Sequence, residues 1–262
     1  WCDRAPVMVF GATGLVDAAM RRPWIDWIHT SRDQGALVRD YVKWDDQPAS
    51  PAAAIESVVR ANRIMRRQPQ GPVYIVLDNR MQESKLTSMP NIPDVTRFDV
   101  QADPAPTSDA VEAAVEMLKA AKSPLMIAGR VSRNQSDWDR RVAFAEALGA
   151  RVITNQRTAA AFPTHHPLHP NHLNYRTTAD DEALIRNADL ILNLDWLDFG
   201  GTLQAAGGTD AKIISVSMDD LNSNGWSFDH HVLPAVDLPI LSTPDSFVFA
   251  ALEGLPSGEK QT

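Results

Sequence analysis

Two short apolar runs, Asp189-Leu-Ile-Leu-Asn-Leu194 and Ala211-Lys-Ile-Ile-Ser-Val-Ser217, constrain this chain more than any other stretch. Both are rich in branched side chains and bounded by turn residues, the pattern of strands buried on both faces. A glycine-rich loop with Gly200, Gly201, Gly207 and Gly208 is expected between them, and Asp181–Ala188 predicts a short helix before them. Strands buried on two faces need helices on both sides, so the stretch predicts a doubly wound α/β domain with a parallel sheet. Such sheets place ligands beyond the carboxyl ends of their strands. That rule marks Asp195-Trp196-Leu197-Asp198 as a candidate site.

The same rhythm extends to either side. Thr107-Ser-Asp109 predicts a helix cap, with Val111, Ala114, Val115 and Leu118 at helical spacing behind it. Leu125–Ala128 predicts a strand, and a helix from about Ser136 carries Trp138, Val142, Ala145 and Leu148 on one face. Gly149 ends that helix, and Arg151–Thr154 is the next strand. A further short strand is expected near Val232 and a last helix over 245–252, so residues 107–254 form one domain and 255–262 a frayed tail. Prolines 90, 93, 104 and 106 mark 86–106 as a linker.

Residues 1–85 offer less. Ala5–Phe10 and Pro72–Asp78 are strand candidates, and Asp33–Trp44 predicts a short helix with Leu37 and Tyr41 on one face. Ser50-Pro51 starts a stronger helix, with serine as cap and proline in the first turn, an apolar stripe of Ile55, Val58 and Val59, and Gly71 as its end. Two strands are too few for an independent sheet, so this segment is expected to be part of a domain with an exposed edge. The start on Trp1 rather than Met fits the same expectation of a piece of a longer protein.

Composition excludes several classes. A net charge of −8 argues against nucleic acid, which needs a basic face. No apolar run approaches the roughly 18–20 residues of a membrane helix. Cys2 stands alone, so no internal disulfide is possible, and a cytoplasmic location is expected.

Gly11-Ala-Thr-Gly14 after the first strand suggests a dinucleotide loop, but Asp17 occupies the third glycine position and Pro23 follows closely. An NAD(P)-dependent oxidoreductase therefore stays open as an alternative, as does a non-catalytic α/β assembly module. His165, His166, His169 and His172 are dense enough to consider zinc, yet Pro167 and Pro170 interrupt them and no metal is assigned. Asp195 and Asp198 could form an acid–base pair or cap the following turn. Trp24 and Trp27 are expected in the core or an interface.

The order of the pieces resembles a known family. Gly71-Pro-Val-Tyr-Ile-Val-Leu-Asp78, the proline-rich linker, Pro124-Leu-Met-Ile-Ala-Gly129, Ala147–Thr154, Phe162-Pro-Thr-His-His-Pro-Leu168 and Asn187–Leu192 are similar to landmarks of the acetolactate-synthase-like thiamine-diphosphate-dependent enzymes. Arg39, Lys43 and Trp44 match the end of that family's pyrimidine-binding domain. The resemblance implies the later part of that domain followed by the central domain. It implies chemistry on carbon–carbon bonds next to a carbonyl, with thiamine diphosphate and Mg²⁺ as cofactors and a small-molecule substrate. A homo-oligomer, dimer or tetramer, is also implied.

The family's catalytic glutamate and its Gly-Asp-Gly motif have no counterpart in this sequence, so the chain alone is expected to be inactive. Where FAD-binding relatives carry Gly-x-Arg, this chain has Asp195-Trp196-Leu197, so FAD is not expected. His29 and Thr30 stand where relatives place a Phe-Gln pair facing the substrate. Gly129, Arg130, Asp195 and Asp198 are the cofactor-facing candidates.

Overall fold

The computed structural model describes residues 1–100, 102–170, 174–220 and 232–255. It divides into two compact units, one formed by Trp1–Ala102 and one beginning at Asp103.

The first unit contains, in order, β1 (Met8–Thr13), α1 (Asp26–His29), β2 (Trp44–Asp46), α2 (Pro51–Arg66), β3 (Val73–Asp78) and α3 (Asn79–Glu83). Its three strands are parallel, in the order β1-β3-β2. Alternation along β3 sends Val73 and Ile75 to one face, where they meet Ala61, Ile64 and Met65 of α2. Tyr74 and Val76 go to the other face with Val42. The cap of α2 is as expected: Ser50 Oγ accepts from Ala53 N at 3.2 Å and Pro51 is the first helical residue. At the far end Lys43 Nζ donates to the carbonyls of Ile64 and Arg67, both at 2.7 Å, which satisfies two orphan acceptors.

Several expectations for this half need correction. The sheet has a third strand, β2, which two consecutive acids hide: Asp46 accepts from Ser57 Oγ at 2.8 Å and Asp45 from Arg39 Nη2 at 2.7 Å. Asp33–Trp44 is not one helix but two 3₁₀ turns, Gly35–Leu37 and Arg39–Tyr41. Leu37 and Tyr41 are 72% and 69% exposed, while Val42 is buried. The reason is Arg39, which bridges Asp33 and Asp45 and holds the segment in a tighter path. The sheet-facing side of α2 is Ser57, Ala61, Ile64 and Met65 rather than the Ile55–Val58–Val59 stripe. Of the two places expected for Trp24 and Trp27, a core or an interface, the core does not hold: they are exposed at 72% and 69%.

The second unit contains α4 (Ser108–Ala120), β4 (Pro124–Ala128), α5 (Gln135–Leu148), β5 (Arg151–Ile153), α6 (Ala179–Asn187), β6 (Leu190–Leu194), α7 (Phe199–Ala205), β7 (Lys212–Ser217), β8 (Leu238–Leu241) and α8 (Pro244–Leu252). All five strands are parallel, in the order β5-β4-β6-β7-β8. Met126 and Ala128 face a layer built from Val115, Leu118, Phe144, Phe247 and Val248 of α4, α5 and α8. Leu125 and Ile127 face Ile185, Phe199 and Leu203 of α6 and α7. The expected doubly wound sheet is therefore present, with apolar strands buried on two sides.

Here too the details shift. Gly200 and Gly201 lie inside α7 rather than in a loop, and of these four glycines Gly207 and Gly208 adopt positive φ, at 85° and 92°. The last strand is Leu238–Leu241, not a segment near Val232, and its Pro239 suits an edge position. The expected tail from Pro256 lies outside the described residues. No helix among the described residues is long and apolar enough to cross a membrane.

Candidate functional site

The strand order of the second unit changes direction between β4 and β6, with β5 on one side and β7 and β8 on the other. A crevice opens at such a point, outside the carboxyl ends of the strands. The chains leaving β4 and β6 meet in it: Gly129 N donates to Leu194 O and Arg130 N to Asp195 O, each at 3.0 Å. A Cβ on Gly129 would lie 2.3 Å from the Asp195 carbonyl oxygen and 2.4 Å from Trp196 Cα, so only glycine fits. Asp195 and Asp198 both adopt left-handed backbone, at φ 53° and 57°. Aspartate tolerates that region better than most residues, and the two together turn the chain from β6 into α7.

The crevice is filled largely by the protein's own groups. Arg130 Nη2 lies 2.8 Å from Asp195 Oδ1, with both side chains only 10% exposed. Ser217 Oγ, at the end of β7, lies 2.6 Å from both Asp195 Oδ1 and the Asp219 carbonyl, so its single proton serves one of them. Across the β6–β7 pair, Asn193 Nδ2 donates to Ser215 Oγ at 3.0 Å, and its Oδ1 accepts from Trp196 N at 2.9 Å. The remaining space is a cavity of about 250 Å³ walled by Trp196, Phe199, Gly200 and Leu233. Asp195 and Asp198 do not converge as an acid–base pair. Asp195 is tied to Arg130, and Asp198 caps α7 by accepting from Gly201 N at 3.1 Å. Of the four candidates in this unit, the fold brings Gly129, Arg130 and Asp195 together and sends Asp198 to the helix cap.

Arg141 is the polar residue that the sequence reading passed over. It is fully buried and forms an ion pair with Asp245 at the start of α8. Its Nε donates to Ala161 O at 3.1 Å, and its Nη2 to Ser132 O and Ala160 O at 3.0 and 3.1 Å. One guanidinium thus ties α5 to α8 and to the loops that follow β4 and β5. The signal was available: Arg141 shares helical spacing with Ala145 and Leu148, on a face otherwise apolar.

In the first unit His29 is exposed at the end of α1, with Nδ1 3.2 Å from Ile25 O. Thr30 Oγ1 donates to Asp26 O at 2.5 Å, and Gly14 N donates to His29 O at 2.9 Å. Beneath them Asp26 is buried against Arg22, whose side chain and amide hold the carboxyl below its usual range. The dinucleotide loop is not present. Gly11, Ala12 and Thr13 belong to β1 and pair with Val76, Leu77 and Asp78. Gly11 leaves room for Tyr74, whose hydroxyl would lie 1.9 Å from a Cβ there.

The histidines do not converge either. His166 Nε2 meets Glu146 at 3.3 Å, whereas His169 is buried with Nε2 2.8 Å from Thr154 Oγ1; His172 lies outside the described residues. Among the described residues, no group of three or more His, Cys, Asp and Glu is placed to hold a metal ion. Burial holds the pKa of His169 below its ordinary 6.5. The unfolded chain then binds the proton more readily, so His169 contributes stability above about pH 6.5 that is lost as pH falls from there toward the folded-state value. Thermal unfolding should show Tm falling as pH drops below about 6.5, and His169→Gln should flatten that slope. An unchanged slope in the variant would assign the acid sensitivity to other groups.

Comparison with known proteins fits this architecture. The sequence matches the thiamine pyrophosphate enzyme central domain over residues 111–244, just over half of the chain. A sulfoacetaldehyde acetyltransferase from Rhodobacter capsulatus is 31% identical over 163 residues, covering 62% of this chain and 26% of that protein. One from Alcaligenes xylosoxydans xylosoxydans is 35% identical over 117 residues, 43% of this chain and 19% of that protein. The benzoylformate decarboxylase from Polynucleobacter necessarius shares the fold at a TM-score of 0.73 and 23% identity, over 100% of this chain and 46% of that one. The chain thus spans less than half the length of each of these proteins.

Proposed function

Because the chain belongs to the thiamine pyrophosphate enzyme family, we propose that it supplies the framework of an enzyme acting on carbon–carbon bonds next to a carbonyl. Decarboxylation or joining of 2-oxo acids is the leading reading. The observation that supports it is the central-domain match over 111–244, borne by a five-stranded parallel sheet. Acetyl-group transfer is the second reading, favoured by the two acetyltransferases at 31% and 35% identity. The working form is a homo-oligomer.

The residues described here do not fit thiamine diphosphate and Mg²⁺. The sequence has no Gly-Asp-Gly, and the described acids and histidines form no metal cluster. No reaction step is therefore assigned to side chains of this chain, and the 262 residues alone are inactive in this reading. FAD is not expected in this reading. The crevice of about 250 Å³ falls below the roughly 300–1,000 Å³ of typical ligand sites. Asp195, Asp219 and Asp220 would also face a diphosphate there. Toward the substrate, His29 is the stronger candidate, since Thr30 already donates its hydroxyl to Asp26 O.

One set of measurements tests the reading. A hundredfold excess of cofactor over its Kd stabilises a binding protein by about 2.7 kcal/mol. The 262-residue chain should show no such gain with thiamine diphosphate and Mg²⁺. The product of the complete gene should show it, should consume pyruvate, benzoylformate or sulfoacetaldehyde, and should purify without a flavin band. His29→Ala in that protein should lower kcat/KM about tenfold, near the worth of one hydrogen bond. A saturable shift in the chain alone, or no thiamine dependence in the complete protein, would overturn the assignment.

A further inference from the structure

Helix α2 carries two apolar faces where a surface helix needs one. Ser57, Ala61, Ile64 and Met65 meet the sheet, and Ile55 and Val59 lie on a second side, roughly 140° around the helix at its 100° per residue. The segment after α3 returns over that second side, and Arg66 reaches Asp99 at 3.8 Å. It does not fill the space. Met89, Ile92 and Val95 of the segment remain 76%, 65% and 61% exposed, and a groove of about 830 Å³ runs beneath it. That volume lies within the range of small-molecule sites. Trp44, Ile55, Val59 and Phe98 form its apolar wall, and Arg60, Arg63 and Arg67 line it as well.

The charge of this rim runs against the chain's net −8. Arg60 pairs with Glu56, whereas Arg63 and Arg67 have no carboxylate in ion-pair reach among the described residues. The carboxyl end of a helix ordinarily repels an anion, but the Lys43 ammonium sits on the last carbonyls of α2 and offsets that end. A guanidinium pair one helical turn apart suits a carboxylate or phosphate head, and the apolar wall suits a short hydrocarbon or aromatic body.

We propose that this groove binds an amphiphilic organic anion, its body against Ile55, Val59 and Phe98 and its head between Arg63 and Arg67. The site belongs to the first unit and does not depend on the thiamine-enzyme reading.

Isothermal titration of the 262-residue chain with monomeric octanoate and octyl phosphate, beside octyltrimethylammonium, tests it. Saturable one-to-one binding of at least one anion is expected, with no binding of the cation. Arg63→Glu with Arg67→Glu should weaken binding at least tenfold while lowering Tm by only a few degrees, because both side chains are exposed and the cost is that of acids at the carboxyl end of α2. Val59→Asp should weaken it as well, by removing the apolar wall. Absence of saturable binding, equal binding of the cation, or full binding by the charge-reversed variant would overturn the proposal. So would binding confined to phosphatidylglycerol vesicles, which would make the groove a membrane contact.

Discussion

Replacing Arg141 by leucine is expected to destabilise the second unit by about 3–5 kcal/mol, the usual cost of removing one partner of a buried ion pair. The variant leaves the Asp245 carboxylate uncompensated at 13% side-chain exposure. It also strips donors from three carbonyls, those of Ser132, Ala160 and Ala161. Loss of the guanidinium weighs most on the Ala161 carbonyl, whose bond is the buried one of the three. For a unit of this size the fall in Tm should be on the order of 10 °C. Asp245 also accepts from Ser132 N at 2.6 Å, so its own removal is costly. The double variant Arg141→Leu/Asp245→Asn should nonetheless be less harmed than the two single losses added together, since no lone buried charge remains. A single-variant loss under about 1 kcal/mol would show that water substitutes for the guanidinium and that the pair is not structural.

Gly129→Ala should be comparably severe for a different reason. The added methyl would sit 2.3 Å from a carbonyl oxygen and 2.4 Å from a Cα of the Asp195–Trp196 backbone. Main chain cannot swing aside as a flexible side chain can, so β4 and β6 must part at the crevice. A cost of about 3 kcal/mol follows from overpacking of this kind. Gly149→Ala provides the contrast. Gly149 has φ 61° at the end of α5 but nothing within 4 Å of its would-be Cβ, so it should cost only about 1 kcal/mol in backbone strain. Denaturant unfolding of the two variants separates the effects. Equal losses would mean that the crevice adjusts freely and that Gly129 serves only the turn.

Much of the second unit was legible in the chain itself. Runs such as Leu125–Ala128 and Leu190–Leu194 are short, branched and apolar throughout, and only a strand covered on both faces hides every second side chain at once. Helix starts were equally plain where a cap was local: Ser50 with Pro51, and Thr107, act on amides only three residues away. Such signals sit within one turn of the chain and need no knowledge of distant neighbours.

What the sequence could not decide depends on partners far along the chain. Trp44-Asp-Asp46 becomes a strand only because β3 is there to pair with it, and its acids are satisfied by Arg39 and Ser57. Gly11–Thr13 has the composition of a nucleotide loop, yet the ladder to Val76–Asp78 and the ring of Tyr74 make it a strand. Asp195 and Asp198 look alike on paper, three residues apart. The fold alone gives one of them to Arg130, 65 positions away, and the other to the first turn of α7. Apolar periodicity, turn chemistry and caps were therefore determined by the sequence, because their physics is local. The closing of the crevice and the burial of Arg141 were decided by the tertiary structure, because a charge is stabilised by whatever the fold carries to within about 3 Å of it.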